Sequence, residues 1–88
     1  MNAAQRFLTE LAQLTADPPG FTRASYGAGE QTAHDLARRE AEKLGLEVTT
    51  DQVGNLYMTL PGQDRTLPAV LTGSHLDSVR HGGNFDGA

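Results

Sequence analysis

The sequence contains no cysteine, no tryptophan and no long apolar run. Without cysteine there is neither a disulfide framework nor a thiolate metal site. The apolar stretches are much shorter than the roughly 18 residues of a membrane-spanning helix, and the N-terminal residues lack the basic-then-apolar pattern of a secretory signal. We therefore expect a cytoplasmic chain that has no membrane partner.

Basic charge and bulky apolar residues are also scarce. Seven Lys and Arg stand against eleven Asp and Glu, which gives a net charge of −4. Because nucleic acids attract clustered basic side chains, a nucleic-acid partner is not expected. Leu, Val and Phe make up only about a fifth of the 88 residues, and isoleucine is absent. Because a chain of this length buries little surface, we expect a thin core.

Two segments have the apolar spacing of amphipathic helices. The first covers residues 2–15, with Asn2 as a candidate N-cap and Pro18 in the segment that ends it. The second covers residues 28–44 and has an alanine-rich face, and Gly45 is suited to the C′ position that follows. An alanine-rich face predicts close packing against a flat surface such as a sheet.

Three segments downstream have strand patterns. Residues 46–51 and 55–60 alternate apolar and polar side chains around a Gly-Asn turn, which is typical of an antiparallel hairpin. Residues 68–72 are mostly apolar without a break, which predicts a short buried strand. The expected fold class is α/β: two helices, then a β-hairpin and a buried strand that ends in a polar loop.

The polar loop, residues 73–88 (GSHLDSVRHGGNFDGA), carries the candidate chemistry. His75 would lie just beyond the carboxyl end of the buried strand, where α/β proteins bind ligands. Asp77 is two residues further and so points to the same side of an extended chain. Its carboxylate could accept the proton of one imidazole nitrogen and thereby orient His75 for metal binding.

Asp86 lies eleven residues after His75, and the intervening glycines allow the loop to fold back. A carboxylate can bridge two metal ions, and such a pair can activate water and polarise a carbonyl. Imidazole and carboxylate ligands suit zinc and its neighbours. The alternative is a flexible loop, since His-x-Asp, Gly-Gly-Asn and Asp-Gly all occur in ordinary turns. The residues alone leave both interpretations open.

Four other polar residues favour ordinary roles. His34 is expected on the solvated face of the second helix, and His81 in the loop without a metal partner. Arg23 and Tyr26 lie in a loop before the second helix, and loops often carry function. A solvated arginine is nevertheless the simpler interpretation of Arg23.

The motifs GSHLDSV and GGNFDGA, at their short separation, resemble those of the hydantoinase/carbamoylase-type amidases. This family is a branch of the aminoacylase- and carboxypeptidase-like dinuclear metallohydrolases. Thr22-Arg23 and the segment GNLYMTLPG extend the resemblance over nearly the whole chain. It implies hydrolysis of a linear amide or ureide C–N bond, with a small carbamoyl amino acid or ureide as substrate and two divalent ions (zinc, manganese, cobalt or nickel) as cofactors.

The resemblance also implies residue roles. His75 would bind one ion, Asp86 would bridge both, and Asp77 would be a catalytic residue that orients His75. The peptide bond between Asp86 and Gly87 would be cis. The family's glutamate pair, its further histidine ligands and its dimerisation domain have no counterpart in residues 1–88. We therefore expect a partial catalytic domain, inactive alone, from a homodimeric enzyme.

Two alternatives stand beside this hypothesis. One is a metallopeptidase or aminoacylase of the same superfamily, whose members usually have a longer segment between the His-x-Asp element and the bridging aspartate. The other is a small non-catalytic domain that keeps a metallohydrolase-like shape. A self-contained core would be expected of such a domain, and the low apolar content argues against one.

Overall fold

The computed structural model describes residues 2–88; residue 1, which the predicted partial domain includes, lies outside them. The order of elements is α1 (Ala3–Thr15), β1 (Ala16–Asp17), β2 (Gly20–Phe21), α2 (Ala28–Lys43), β3 (Glu47–Thr50) and β4 (Leu56–Thr59). β1 pairs with β2 and β3 with β4, both antiparallel, in two separate sheets. The predicted mixed α/β chain, with two helices and a later hairpin, is confirmed.

Helix α1 begins at the predicted cap. The Asn2 side chain accepts a hydrogen bond from the Gln5 N–H, and the Gln5 side chain accepts one from the Asn2 N–H. This reciprocal capping box satisfies two donors that a helix start otherwise leaves open. After Thr15 the chain turns back through Pro18 and Pro19, and β1 and β2 pair on either side of them.

Helix α2 packs against α1 and against both strands of the β3–β4 hairpin. The core consists of Leu11 of α1 with Ala33 and Leu36 of α2, each at most 3% exposed. After the C-cap Leu44, Gly45 has a φ of 76°, the left-handed conformation that glycine adopts without strain. Neither described helix has the length and apolarity to cross a bilayer.

The β3–β4 hairpin has the predicted position, and Val48 lies opposite Met58. Its turn is organised by Asp51, whose carboxylate accepts hydrogen bonds from the backbone and side-chain N–H groups of Asn55. Gly54 completes the turn with a φ of 91°. The alternating sequence and the turn residues therefore specify the same hairpin.

The buried strand predicted at residues 68–72 is wrong for the described chain. Val70 is 100% exposed and Leu71 is 81% exposed. Within residues 2–88 the segment belongs to neither sheet: one sheet consists of β1 and β2 and the other of β3 and β4. A strand forms only where its N–H and C=O groups find partners. Apolar composition alone does not supply those partners.

Candidate functional site

The loop after residue 72 brings together the three residues predicted for the site. His75 Nε2 lies 3.4 Å from Asp86 Oδ1, although the two residues are far apart in sequence. His75 Nδ1 lies 3.1 Å from the carboxylate of Asp77 and 3.1 Å from its backbone carbonyl oxygen. One aspartate therefore faces each nitrogen of the imidazole.

The contacts of Asp77 favour a proton on Nδ1 of His75, because both oxygens that face this nitrogen are acceptors. In that tautomer Nε2 is the nitrogen that could bind a cation together with Asp86. The hydrogen bond to the Asp77 backbone raises the pKa of His75, and the carboxylates of Asp77 and Asp86 act in the same direction, against desolvation. The ring is therefore oriented by Asp77 and aimed at Asp86.

The distance between His75 and Asp86 fits two donors on one ion. Ligand bonds of about 2.1 Å in tetrahedral geometry place two donor atoms about 3.4 Å apart. Within residues 2–88, no three His, Cys, Asp or Glu side chains are grouped so that they could hold a metal ion. A catalytic zinc ion takes three protein ligands. The described residues can thus supply two ligands of a set but not a complete one.

Gly87 allows the loop to close against His75. Its φ is 88°, and a Cβ built on it would lie 2.5 Å from His75 Nδ1 and 2.7 Å from the His75 carbonyl oxygen. The prediction of a cis bond between Asp86 and Gly87 is wrong: in the described chain the cis bond joins Pro18 and Pro19. The left-handed backbone of Gly87 already reverses the chain with a trans bond.

Arg23 is fully buried, which corrects the expectation of a solvated side chain. Its Nε donates to the Leu76 carbonyl oxygen at 2.7 Å, and its two Nη atoms donate to the side-chain and backbone oxygens of Asn84, both at 3.0 Å. These acceptors replace water around the guanidinium, which is why it can be buried. Burial lowers the pKa of Arg23, and the charges of Asp77 and Asp86 oppose that shift.

Two more residues fix the loop to the N-terminal part of the chain. Asn84 is 8% exposed and donates from Nδ2 to the Leu8 carbonyl oxygen in α1. Ser78 accepts from the Arg23 N–H through Oγ at 2.9 Å and donates its own N–H to the Arg23 carbonyl at 2.8 Å. Sequence reasoning missed Arg23, Asn84 and Ser78 as site residues. The only available signal was Thr22-Arg23 in the family resemblance.

The other two histidines are separate from this cluster. His81 lies in the loop, as predicted, and its Nδ1 donates to the Asp17 carbonyl oxygen at 2.8 Å. His34 was expected to be solvated but is half-buried on α2. His34 lies on the side of α2 that faces the β3–β4 hairpin, and the hairpin packs against α2. Tyr26, in the loop before α2, is 82% exposed.

Known proteins match nearly the whole chain, although no family model and no solved structure does. It is 37% identical over 83 residues to an N-carbamoyl-L-amino-acid amidohydrolase of Paenarthrobacter aurescens, covering 94% of this chain and 20% of that protein. The chain is 43% identical over 81 residues to an N-carbamoyl-L-amino acid amidohydrolase of Geobacillus stearothermophilus; the match covers 91% of this chain and 20% of that protein. It is 38% identical over 86 residues to the allantoate amidohydrolase of Escherichia coli (strain K12); this match covers 97% of this chain and 21% of that protein.

These relatives are amidohydrolases, a class of hydrolases that act on C–N bonds. Over nearly its whole length, the chain is similar to N-carbamoyl-L-amino-acid and allantoate amidohydrolases. The resemblance predicted from the two loop motifs is confirmed. The chain spans about a fifth of the length of the curated relatives that it matches.

Proposed function

We propose that the chain is the N-terminal part of a metal-dependent amidohydrolase. Its substrate would be an N-carbamoyl-L-amino acid or a related ureide, cleaved at a linear C–N bond. The observation that carries the proposal is the approach of His75 Nε2 to within 3.4 Å of Asp86 Oδ1, with Asp77 on the other ring nitrogen. The names of the relatives support the substrate class.

The three side chains would divide the work of holding the metal. His75 would bind one divalent ion through Nε2, and Asp86 has two oxygens with which to bridge that ion to a second. Asp77, the predicted catalytic residue, would hold the proton on Nδ1 and keep the ring in place. When bound, a pair of divalent ions (zinc, manganese, cobalt or nickel) activates water and polarises the substrate carbonyl.

The proposal assigns the missing groups to the part of the relatives that this chain does not match. Two ligands are fewer than a catalytic ion takes, and a proton must be carried to the leaving nitrogen. We therefore expect residues 1–88 alone to be inactive. A protein of the relatives' length would supply the other ligands and a general base and would form a homodimer.

The test compares substrates and variants in a protein of the relatives' length that contains this segment. We expect hydrolysis of N-carbamoyl-L-amino acids or allantoate, loss of activity with a chelator, and recovery with zinc, manganese or cobalt. His75→Ala and Asp86→Ala should each lose more than about 100-fold in kcat/KM, more than is typical for a residue that only orients a ligand. His34→Gln, on α2, is the control and should keep its activity.

Two results would overturn the proposal. Activity confined to dipeptides or N-acetyl amino acids would assign the protein to the metallopeptidase or aminoacylase branch. Chelator-resistant activity that survives His75→Ala would exclude a metal-dependent reaction at this site.

A further inference from the structure

Arg23 connects the two segments that carry the proposed metal ligands. Its Nε donates to the carbonyl oxygen of Leu76, the residue directly after His75. One of its Nη atoms lies 3.4 Å from the carbonyl oxygen of Asp86 and donates at 3.0 Å to that of Asn84. A single rigid side chain thus holds the backbone on both sides of the gap between the ligands.

The surroundings of Arg23 make this connection stiff. The side chain is 0% exposed, and Asn84, which accepts from its other Nη atom, is 8% exposed and hydrogen-bonded to α1. The Arg23 backbone is paired in both directions with Ser78. Planar guanidinium donors diverge in fixed directions, so the oxygens that they bind cannot shift independently.

We propose that Arg23 is a positioning residue that sets the distance between His75 and Asp86 before metal binds. The inference rests on the proposed metal site but not on the identity of the substrate. The acceptors of Arg23 are carbonyl and amide oxygens, so its geometry, and not pairing with a carboxylate, holds the loop. Lysine in its place would keep the charge and lose the separate donors that reach Leu76 and Asn84.

The test measures the loop and its zinc affinity in a protein of the relatives' length that contains residues 1–88. Arg23→Lys should move the NMR signals of the His75 ring and of the amides of residues 75–77 and 84–87 in metal-free protein. Its zinc dissociation constant should rise by about 10–100-fold, the range for residues that orient a metal ligand. The absorption spectrum of bound cobalt should change as well. Arg80→Lys, at an exposed position of the same loop, should change none of these.

Two further variants separate positioning from general loss of stability. Asn84→Ala removes one acceptor of Arg23 and should weaken zinc binding less than Arg23→Lys does. Asn2→Ala destabilises α1 at its cap and should leave zinc affinity unchanged. If Arg23→Lys fails to fold, as judged by the signals of Leu11 and Leu36, Asn84→Ala decides the question.

The outcomes distinguish this inference from the proposed function. Unchanged loop signals and unchanged zinc affinity in folded Arg23→Lys, or in Asn84→Ala where Arg23→Lys does not fold, would overturn the positioning role. If His75→Ala binds zinc as tightly as the unsubstituted protein does, the proposed metal site is overturned instead. In that case the positioning of metal ligands falls with the metal site, and displaced loop signals in Arg23→Lys would show only that Arg23 holds the loop.

Discussion

Single residues decide how closely the loop can fold onto itself. Asp86 reaches His75 only because the next residue, Gly87, passes close to the imidazole ring and to the His75 carbonyl. At these distances a methyl group on residue 87 would overlap the imidazole ring and the carbonyl oxygen of His75. In addition, residues with a Cβ rarely adopt a φ of 88°. The geometry of the site thus depends on a missing side chain as much as on those present.

Gly87→Ala should disrupt the site and leave the helices intact. We expect a loss of about 1–3 kcal/mol from the left-handed backbone, with further displacement from the overlap with His75. Zinc affinity should fall, and the His75 ring signals should shift towards those of an exposed histidine. Gly83→Ala is the matched control, because a Cβ there meets no atom within 4 Å. Equal effects of the two substitutions on zinc affinity would contradict this role for Gly87.

The candidate ligand residues could be named from the sequence, but the residues that support them could not. His75, Asp77 and Asp86 stand in two short motifs whose spacing is visible in the chain. Arg23 is more than fifty residues from its acceptors. Whether an arginine is buried depends on carbonyl oxygens that only the folded chain assembles around it. The pattern of residue types therefore identified the candidate ligands. For Arg23, which holds the loop around them, it predicted a solvated side chain where the structure has a buried one.

Among the elements, the β3–β4 hairpin shows how one carboxylate organises a turn. Asp51 accepts hydrogen bonds from Val53 and Asn55, and the Tyr57 hydroxyl donates to it at 3.2 Å. These bonds, led by the one from the Asn55 side chain, lower the pKa of Asp51. The hairpin therefore depends on local polar contacts, because most of its side chains are exposed.

The hairpin turn should loosen in acid. Since the pKa of Asp51 is lower in the folded than in the unfolded chain, its stabilising contribution is complete above the usual aspartate range. That contribution is lost as the pH falls through the lowered pKa. The amide signals of Val53 and Asn55, followed by NMR through the acid range, should move with the Asp51 carboxyl signal. In Asp51→Asn the acid transition of these amides should vanish; its persistence would assign the transition to another group.

At the scale of the whole molecule, the chain exposes apolar surface that an isolated domain would cover. A groove of about 780 Å³ is lined by α2, by the β3–β4 hairpin and by residues 70–76. Val70, Leu71 and Leu60 are each at least 81% exposed. The buried core, by contrast, is a small cluster at the α1–α2 contact. An apolar segment without paired neighbours is prone to associate with other chains.

We expect the 88-residue chain to associate with itself in a concentration-dependent way, through the segment around Val70. Burying one valine contributes about 1.5 kcal/mol, so Val70→Lys should weaken association about tenfold, as measured by sedimentation equilibrium. Gln63→Lys adds the same charge at an exposed polar position and is the control. An equal effect of Gln63→Lys would mean that net charge, and not the apolar segment, controls association.

The sequence by itself determined the local structure and the candidate ligands. Helix caps, turn glycines and alternating side chains act over a few residues, so α1, α2 and the β3–β4 hairpin lie where their patterns indicate. Only the tertiary structure decided that Arg23 is buried between two distant segments and that residues 68–72 have no paired neighbour in the described chain. Burial and strand pairing depend on groups far away in sequence, and no local pattern contains that information.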